Sequence, residues 1–396
     1  MVCMALHSMS FFSPNVGNTN LETSITDVGA DIASRLIWLA LAVLSFIIII
    51  YRQSHALRAV RAAFPLWILL GIATASLLWS QEPGIAFIRL VQQYILIFCA
   101  IACGVGISDR SIFINNLLTA ITGVVIFDLA LLAAGKGWTD LGFSGFHGHK
   151  NSAGLIFAIS AMLFYAAALY ESGLRKKLYL AMLAVSGILL YFSDSKTSTW
   201  LSMAIIFVHF LLFLRRKQEP KRFGWYFFLG SLAAFFIITI VSFGYLYKLG
   251  ITFTGRLDIW QFVFDQVSPH FFLGFGYSSF WALGESSNNI LFGSNYANFI
   301  TQLNQAHNSY LDVLLTLGTI GFISLWVFLN SLVQKIEKYR EKYGSDVVVC
   351  SFSLISAFSL SHALLESTFF RGYNLIWMML LLMYFFLVSR RIAQKK

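Results

Sequence analysis

Residues 151–170 read NSAGLIFAISAMLFYAAALY, twenty residues without a charge, and the chain then turns polar at Glu171 and basic at Arg175, Lys176 and Lys177. A helix rising 1.5 Å per residue needs about 20 apolar residues to cross the roughly 30 Å of a bilayer's hydrocarbon. Working outward, similar runs recur near 32–51, 62–80, 85–106, 112–134, 178–193, 197–214, 224–247, 307–330, 346–366 and 373–389. The 58% hydrophobic content amounts to about 230 of 396 residues, roughly what eleven such spans consume. Only 12% of residues are charged, against about 25% in a soluble domain, and the mean hydropathy is +0.73. An ordinary soluble enzyme, a disordered chain, a coiled coil and a collagen are excluded. The expected fold is all-α: a polytopic integral membrane protein with about 11 (10–12) transmembrane helices. Cys3, Cys99, Cys103 and Cys350 show no metal spacing and read as small apolar residues.

Cytoplasmic loops keep the excess of Lys and Arg. Twenty of the 28 fall in alternate connections, at Arg52, Arg58, Arg61, Arg110, Arg175–Lys177, 215–222, 335–342 and the tail after 389. The opposite connections hold only Lys136, Lys150, Lys196, Lys248, Arg256 and Arg371. The first set is cytoplasmic, and the net charge of +10 is a topology signal rather than a nucleic-acid footprint. The chain divides into an outer tail (1–31) with an uncleaved anchor helix after it, an eight-helix membrane region (32–247), a long outer loop (248–306), three C-terminal membrane helices (307–389) and a basic cytoplasmic tail (390–396).

The long loop is the default functional segment, because structureless connections of that length are uncommon. Within it, Leu257, Trp260, Phe264 and Val267 share one face of a predicted helix and Asp258, Gln261 and Asp265 another, so a short amphipathic helix is expected on or dipping into the membrane surface. Arg256 opens that helix, where it can present a planar fork to phosphate or simply snorkel at the lipid interface. Gly274-x-Gly276 lacks the following Lys-Ser/Thr of a phosphate loop and reads as a turn. His307 stands where the loop re-enters the membrane and suits proton transfer or orientation of a hydroxyl, while Asn308 or Ser309 can cap the next helix unaided.

A second outer loop packs His147, His149, Lys150 and Asn151 at the mouth of a span. Two histidines can chelate a metal, but no nearby carboxylate or cysteine completes a set, so an anion- or sugar-binding cluster is preferred and no metal site is expected. Lys196, among Ser195, Thr197 and Ser198, suits phosphate as a point charge, or merely neutralises Asp194. His362 and Glu366, with Arg371 beyond, read as a structural pair. Asp128 and Asp312 are intramembrane carboxylates and count as functional candidates by default. The cations gathered on this otherwise acidic side call for a local anionic partner, and a membrane-embedded pyrophosphate is a natural one.

In order along the chain, Gly145-Phe146-His147-x-His149-Lys150-Asn151-x-x-Gly154, Ser195-Lys196-Thr197-Ser198, Thr254-Gly255-Arg256 with Trp260, Pro269 followed by Gly274-Phe-Gly-Tyr-x-x-Phe280, and Ala306-His307-Asn308-x-Tyr310-Leu311 with Gly318 and Gly321 resemble the bacterial O-antigen ligase and polymerase superfamily. Over roughly residues 65–385 the chain is most similar to its exopolysaccharide polymerases. The resemblance implies a GT-C-like membrane glycosyltransferase, inverting and metal-independent, without a cofactor. It would polymerise undecaprenyl-pyrophosphate-linked repeat units on the periplasmic face of the inner membrane. Its partners would be that lipid-linked donor, a glycan acceptor, membrane lipid and a chain-length regulator, with no nucleic acid. Arg256 matches the arginine that handles the pyrophosphate and His307 the histidine near the acceptor, and both are the expected catalytic residues. Lys196 stands where many ligases have arginine, keeping the charge but losing the bidentate fork. Lys150, His147, His149, Asn151, Asn308 and Tyr310 complete the expected substrate-binding set. A ligase acting on lipid A core or another acceptor, and a transporter of lipid-linked sugars, are the alternatives.

Overall fold

The computed structural model describes residues 32–107, 109–242, 256–281, 305–372 and 374–389. The expected tails at 1–31 and 390–396, Thr254-Gly255 and most of the stretch from Ser294 to Gln305 lie outside them. The helices are α1 (Ile32–Tyr51), α2 (Gln53–Ala62), α3 (Phe64–Ala75), α4 (Pro83–Gly106), α5 (Arg110–Ala133), α6 (Lys150–Tyr170), α7 (Gly173–Phe192), α8 (Lys196–Arg216), α9 (Phe223–Ser242), α10 (Arg256–Val267), α11 (Ser309–Tyr343), α12 (Val347–His362) and α13 (Leu375–Val388). Two-residue strands at Trp138–Thr139 and Gly142–Phe143 pair antiparallel in the α5–α6 connection.

Every one of the eleven apolar runs holds a helix, with α2 and α10 lying in connections. Among the described residues, five helices are long and apolar enough to cross a bilayer, or six if α1 and α2, bent by 102° where they meet, form one span. The segments Phe64–Leu78, Phe223–Thr239, Val347–His362 and Leu375–Val388 are apolar but shorter. The helices start where sequence chemistry dictates. Asp109 accepts the amides of Ser111 and Ile112, Asp346 that of Val349, and Asn374 that of Ile376, so each satisfies donors left over at a helix N-terminus.

The quoted run is the centre of the molecule. Ala153 through Ala168 of α6 are all buried, walled by α5, α7, α8 and α12. Leu375 to Leu387 of α13 are equally buried, against α4 and α11. Large apolar side chains of α1 (Leu39, Phe46, Ile50) and α8 (Trp200, Phe207, Leu214) face outward, a belt suited to lipid.

α11 continues to Tyr343, well past the expected end near 330, and breaks at Gly318 (φ 63°, ψ −167°). The chain after α10 repairs the break. The amides of Phe275 and Gly276 donate to the carbonyls of Leu315 and Thr316 at 3.0 and 2.9 Å, and the Thr319 amide donates to Phe271 at 2.8 Å. Backbone groups orphaned at membrane depth would otherwise cost several kcal/mol each. A Cβ on Gly274 would sit 2.6 Å from Gly318 N, so Gly274 and Gly318 are the contact points of this joint. The joint explains Gly274-x-Gly276 as a turn.

The apolar residues of α10 turn into the protein, a correction to the expected surface helix. Leu257, Trp260 and Val267 are buried together with Ile259, Phe262 and Val263, and Phe262 packs near Phe280 and Trp281. The same spacing serves lipid or protein, and α11 with the 275–281 segment provides the protein.

Gly318→Ala is expected to lower stability by about 2–3 kcal/mol, because it combines left-handed backbone with a clash against Phe272. Gly187→Ala, on open helix surface, is expected to be neutral or stabilising by up to about 1 kcal/mol. Thermal unfolding of both variants in detergent checks the difference.

Candidate functional site

Three segments distant in sequence meet at the cation-poor end of the bundle: the first turn of α10, the entry to α11, and the connection between α12 and α13. Asn308 caps α11, its side chain accepting the amides of Tyr310 and Leu311. This leaves His307 just outside the helix with φ 49°, in a left-handed region that few non-glycine residues adopt. Ser309 ties the entry to the following connection. Its amide donates to Ala363, its hydroxyl donates to the Glu366 carbonyl at 2.8 Å and accepts the amides of Thr368 and Phe369.

Glu366 is the hub. An Arg256 guanidinium nitrogen donates to its Oε1 at 2.7 Å, and His307 Nδ1 lies 3.1 Å from its Oε2. Burial pushes the carboxyl up, but the His307 hydrogen bond and the Arg256 charge outweigh burial and hold it below its ordinary value. An ionised Glu366 accepts, so His307 donates from Nδ1 and turns Nε2 away from the carboxylate. All three side chains are only partly covered, at 17, 13 and 26% exposure for Arg256, Glu366 and His307, which keeps them within reach of a ligand.

A second carboxylate braces the first group. Asp312 Oδ1 accepts from Trp281 Nε1 at 2.8 Å and from the Ala306 amide at 3.0 Å, and Arg371 lies 3.5 Å from its Oδ2. Arg371 also donates to Gln305 Oε1, and Trp260 Nε1 to the Ala306 carbonyl. Each bond fixes the residues leading into His307.

The other expected residues gather around the α5–α6 connection. His147 is buried, with Nε2 2.8 Å from Asp128 Oδ2, and it holds that connection down onto α5 instead of facing a ligand. His149 caps α6 through the Asn151 amide, so the two histidines point to different tasks. Lys150 pairs with Asp194 at 3.3 Å, while Lys196 and Asn151 are exposed. Tyr310 is fully buried, donates to the Leu360 carbonyl and stacks on Trp326, so fold bonds account for it as they do for Asn308.

Glu366 itself was missed as a site residue. Sequence spacing pairs it with His362, four residues earlier on one helix; α12 ends at His362, and Glu366 stands in a turn where Arg256 and His307 reach it. The available signal was chemical: Glu366 is the sole acid of the 363–374 connection, on the side whose loops hold Arg256 and His307.

Glu366→Gln is expected to cut turnover at least tenfold at normal protein level, since it frees Arg256 and His307 together. Because the folded-state carboxyl lies below its ordinary value, its stabilising effect is complete above about pH 5 and is lost as pH falls through the folded value. The difference in thermal midpoint between native protein and Glu366→Gln, followed from pH 8 down to about 3, is therefore expected to be constant at first and to shrink only at the acid end.

A search of curated proteins returned no match. Residues 180–326, from the middle of α7 through Lys196, Arg256 and His307 into α11, match the family model described as O-Antigen ligase. This stretch carries the arginine and histidine motifs, and over it the chain is similar to the O-antigen ligase family.

Proposed function

We propose that the protein is an inner-membrane glycosyltransferase that extends an exopolysaccharide or O-antigen by joining undecaprenyl-pyrophosphate-linked repeat units on the periplasmic face. The observation that carries the proposal is Glu366 holding Arg256 and His307 side by side at the end of the bundle where the charge pattern retains few cations. An acceptor hydroxyl attacks the anomeric carbon of the donor sugar from the face opposite the leaving group. The bond from that carbon to the pyrophosphate oxygen breaks, and the configuration inverts. His307 Nε2 takes the hydroxyl proton while Nδ1–H stays on Glu366, the arrangement by which a carboxylate orients an imidazole base. Arg256 spends one donor on Glu366 and keeps the rest of its guanidinium fork for the charge that develops on the lipid pyrophosphate. The eleven-span topology and the division into membrane region and periplasmic loop belong to the same proposal.

Lys196 and Lys150, exposed and half-exposed beside Asp194, would serve the outlying sugar or phosphate groups. A ligase, the activity that the matching family's description names, is the second reading, with transfer to lipid A core or another acceptor, and acceptor choice separates the two. A transporter is disfavoured, because the intramembrane acids Asp128 and Asp312 are engaged with His147, Trp281 and Arg371 instead of lining a path.

Reconstituted protein given a lipid-pyrophosphate-linked oligosaccharide is expected to yield a ladder of repeat units, with Arg256→Ala and His307→Ala each reduced about a hundredfold or more. Full ladder formation by both variants at normal protein level would refute the assignment. Donor consumption only after addition of lipid A core would make the enzyme a ligase.

A further inference from the structure

At the opposite, cation-rich end of the bundle lies a second group that glycosyl transfer does not use. His209 of α8, Glu219 of the α8–α9 connection and Cys350 of α12 converge on one point, each fully buried or nearly so. Nε2 of His209 is 3.1 Å from Glu219 Oε2 and 3.7 Å from Cys350 Sγ, and the three ligand atoms lie within 4.8 Å of one another. A tetrahedral zinc ion with Zn–N and Zn–O near 2.1 Å and Zn–S near 2.3 Å sets its ligands about 3.4 Å (N to O) and about 3.6 Å (N to S) apart. The spacings found here are those of a preformed coordination edge.

Two further observations point the same way. Glu219 Oε1 is buried without a hydrogen-bond partner, an expensive omission for a carboxylate. The other ring nitrogen of His209, Nδ1, is 3.0 Å from the Tyr165 hydroxyl, the outer contact that fixes the tautomer and orientation of a metal-ligating histidine. A hydrogen bond from Nε2 to Glu219 satisfies one carboxylate oxygen, and the Cys350 thiol contacts the same two side chains, while Glu219 Oε1 still has no partner. A divalent cation engages all three groups. With the thiol proton released, carboxylate and thiolate cancel its two charges, so the buried set becomes neutral. Phe213 stacks on the His209 ring and Phe223 meets it edge-to-face, and the Ser345 hydroxyl holds the Glu219 amide.

We propose that His209, Glu219 and Cys350 form a structural site for a borderline-soft divalent cation of the zinc type, with a buried water as the fourth ligand. The ion would tie α8 and the connection after it to α12 on the cytoplasmic side. The ligands come from 209, 219 and 350, far apart in sequence, and no spacing motif announces them. The site stands independently of the proposed transfer chemistry.

The test uses full-length protein purified without a histidine tag. Elemental analysis is expected to find about one zinc per chain, and exchange with Co2+ to produce a thiolate-to-metal charge-transfer band that disappears in Cys350→Ser and persists in Cys103→Ser. Glu219→Gln, which keeps the shape of the side chain, is expected to weaken zinc at least tenfold in competition with a chelator, a readout available even where Cys350→Ser fails to fold. A native protein without zinc and without a cobalt band, a band that survives Cys350→Ser, or unchanged affinity in Glu219→Gln would overturn the proposal.

Discussion

The carboxylate of Glu366 joins the start of α10 to the entry of α11, segments 110 and 59 residues away in sequence. Charged groups are costly to bury, and removing one partner strands the others. Arg256, His307 and Glu366 are therefore constrained as a unit, and the surrounding bonds serve that unit. Ser309 secures the turn that carries Glu366, Asp312 secures the residues before His307, and Trp260 anchors α10 to the same carbonyl run. A positioned arginine and an oriented imidazole are the two devices by which a protein can help a hydroxyl displace a pyrophosphate without covalent chemistry of its own.

The fold supplies the platform through a broken helix. Where Gly318 interrupts α11, the segment after α10 inserts its backbone and pairs with the carbonyls set free. The joint fixes the end of α10 against α11, and so helps set the position of Arg256 relative to His307. The buried pair of Asp128 and His147 does the equivalent for the α5–α6 connection, and Lys150 with Asp194 links it to the start of α8. Intramembrane acids here act as anchors for connections.

Much of the architecture was legible because a bilayer imposes a simple constraint. Uncharged runs such as 151–170 must be helical, and each of the eleven runs does contain a helix. The helix at 256–267 was equally legible from its spacing. Its partner was not, since an apolar face does not say whether lipid or protein covers it, and α11 lies some fifty residues further on. Arg256 and His307 stood out as a cation and an imidazole at loop boundaries. Glu366 did not, because spacing alone does not show that α12 ends at His362 and that the following turn brings the carboxylate to Arg256 and His307. His147, Asn308 and Tyr310 carried motif signals, and the fold accounts for them as an anchor, a cap and a core residue. Helix ends set by tertiary contacts, and clusters assembled from three segments such as His209, Glu219 and Cys350, have no local signature.

The central claim is that Arg256, held by Glu366, receives the pyrophosphate of a lipid carrier. The most direct measurement is equilibrium binding of a polyprenyl pyrophosphate to the reconstituted protein, native against Arg256→Gln, with polyprenyl monophosphate as the comparison lipid. The account predicts saturable binding that favours pyrophosphate over monophosphate and weakens at least tenfold in the variant. Equal affinity of native protein and variant for pyrophosphate would contradict it.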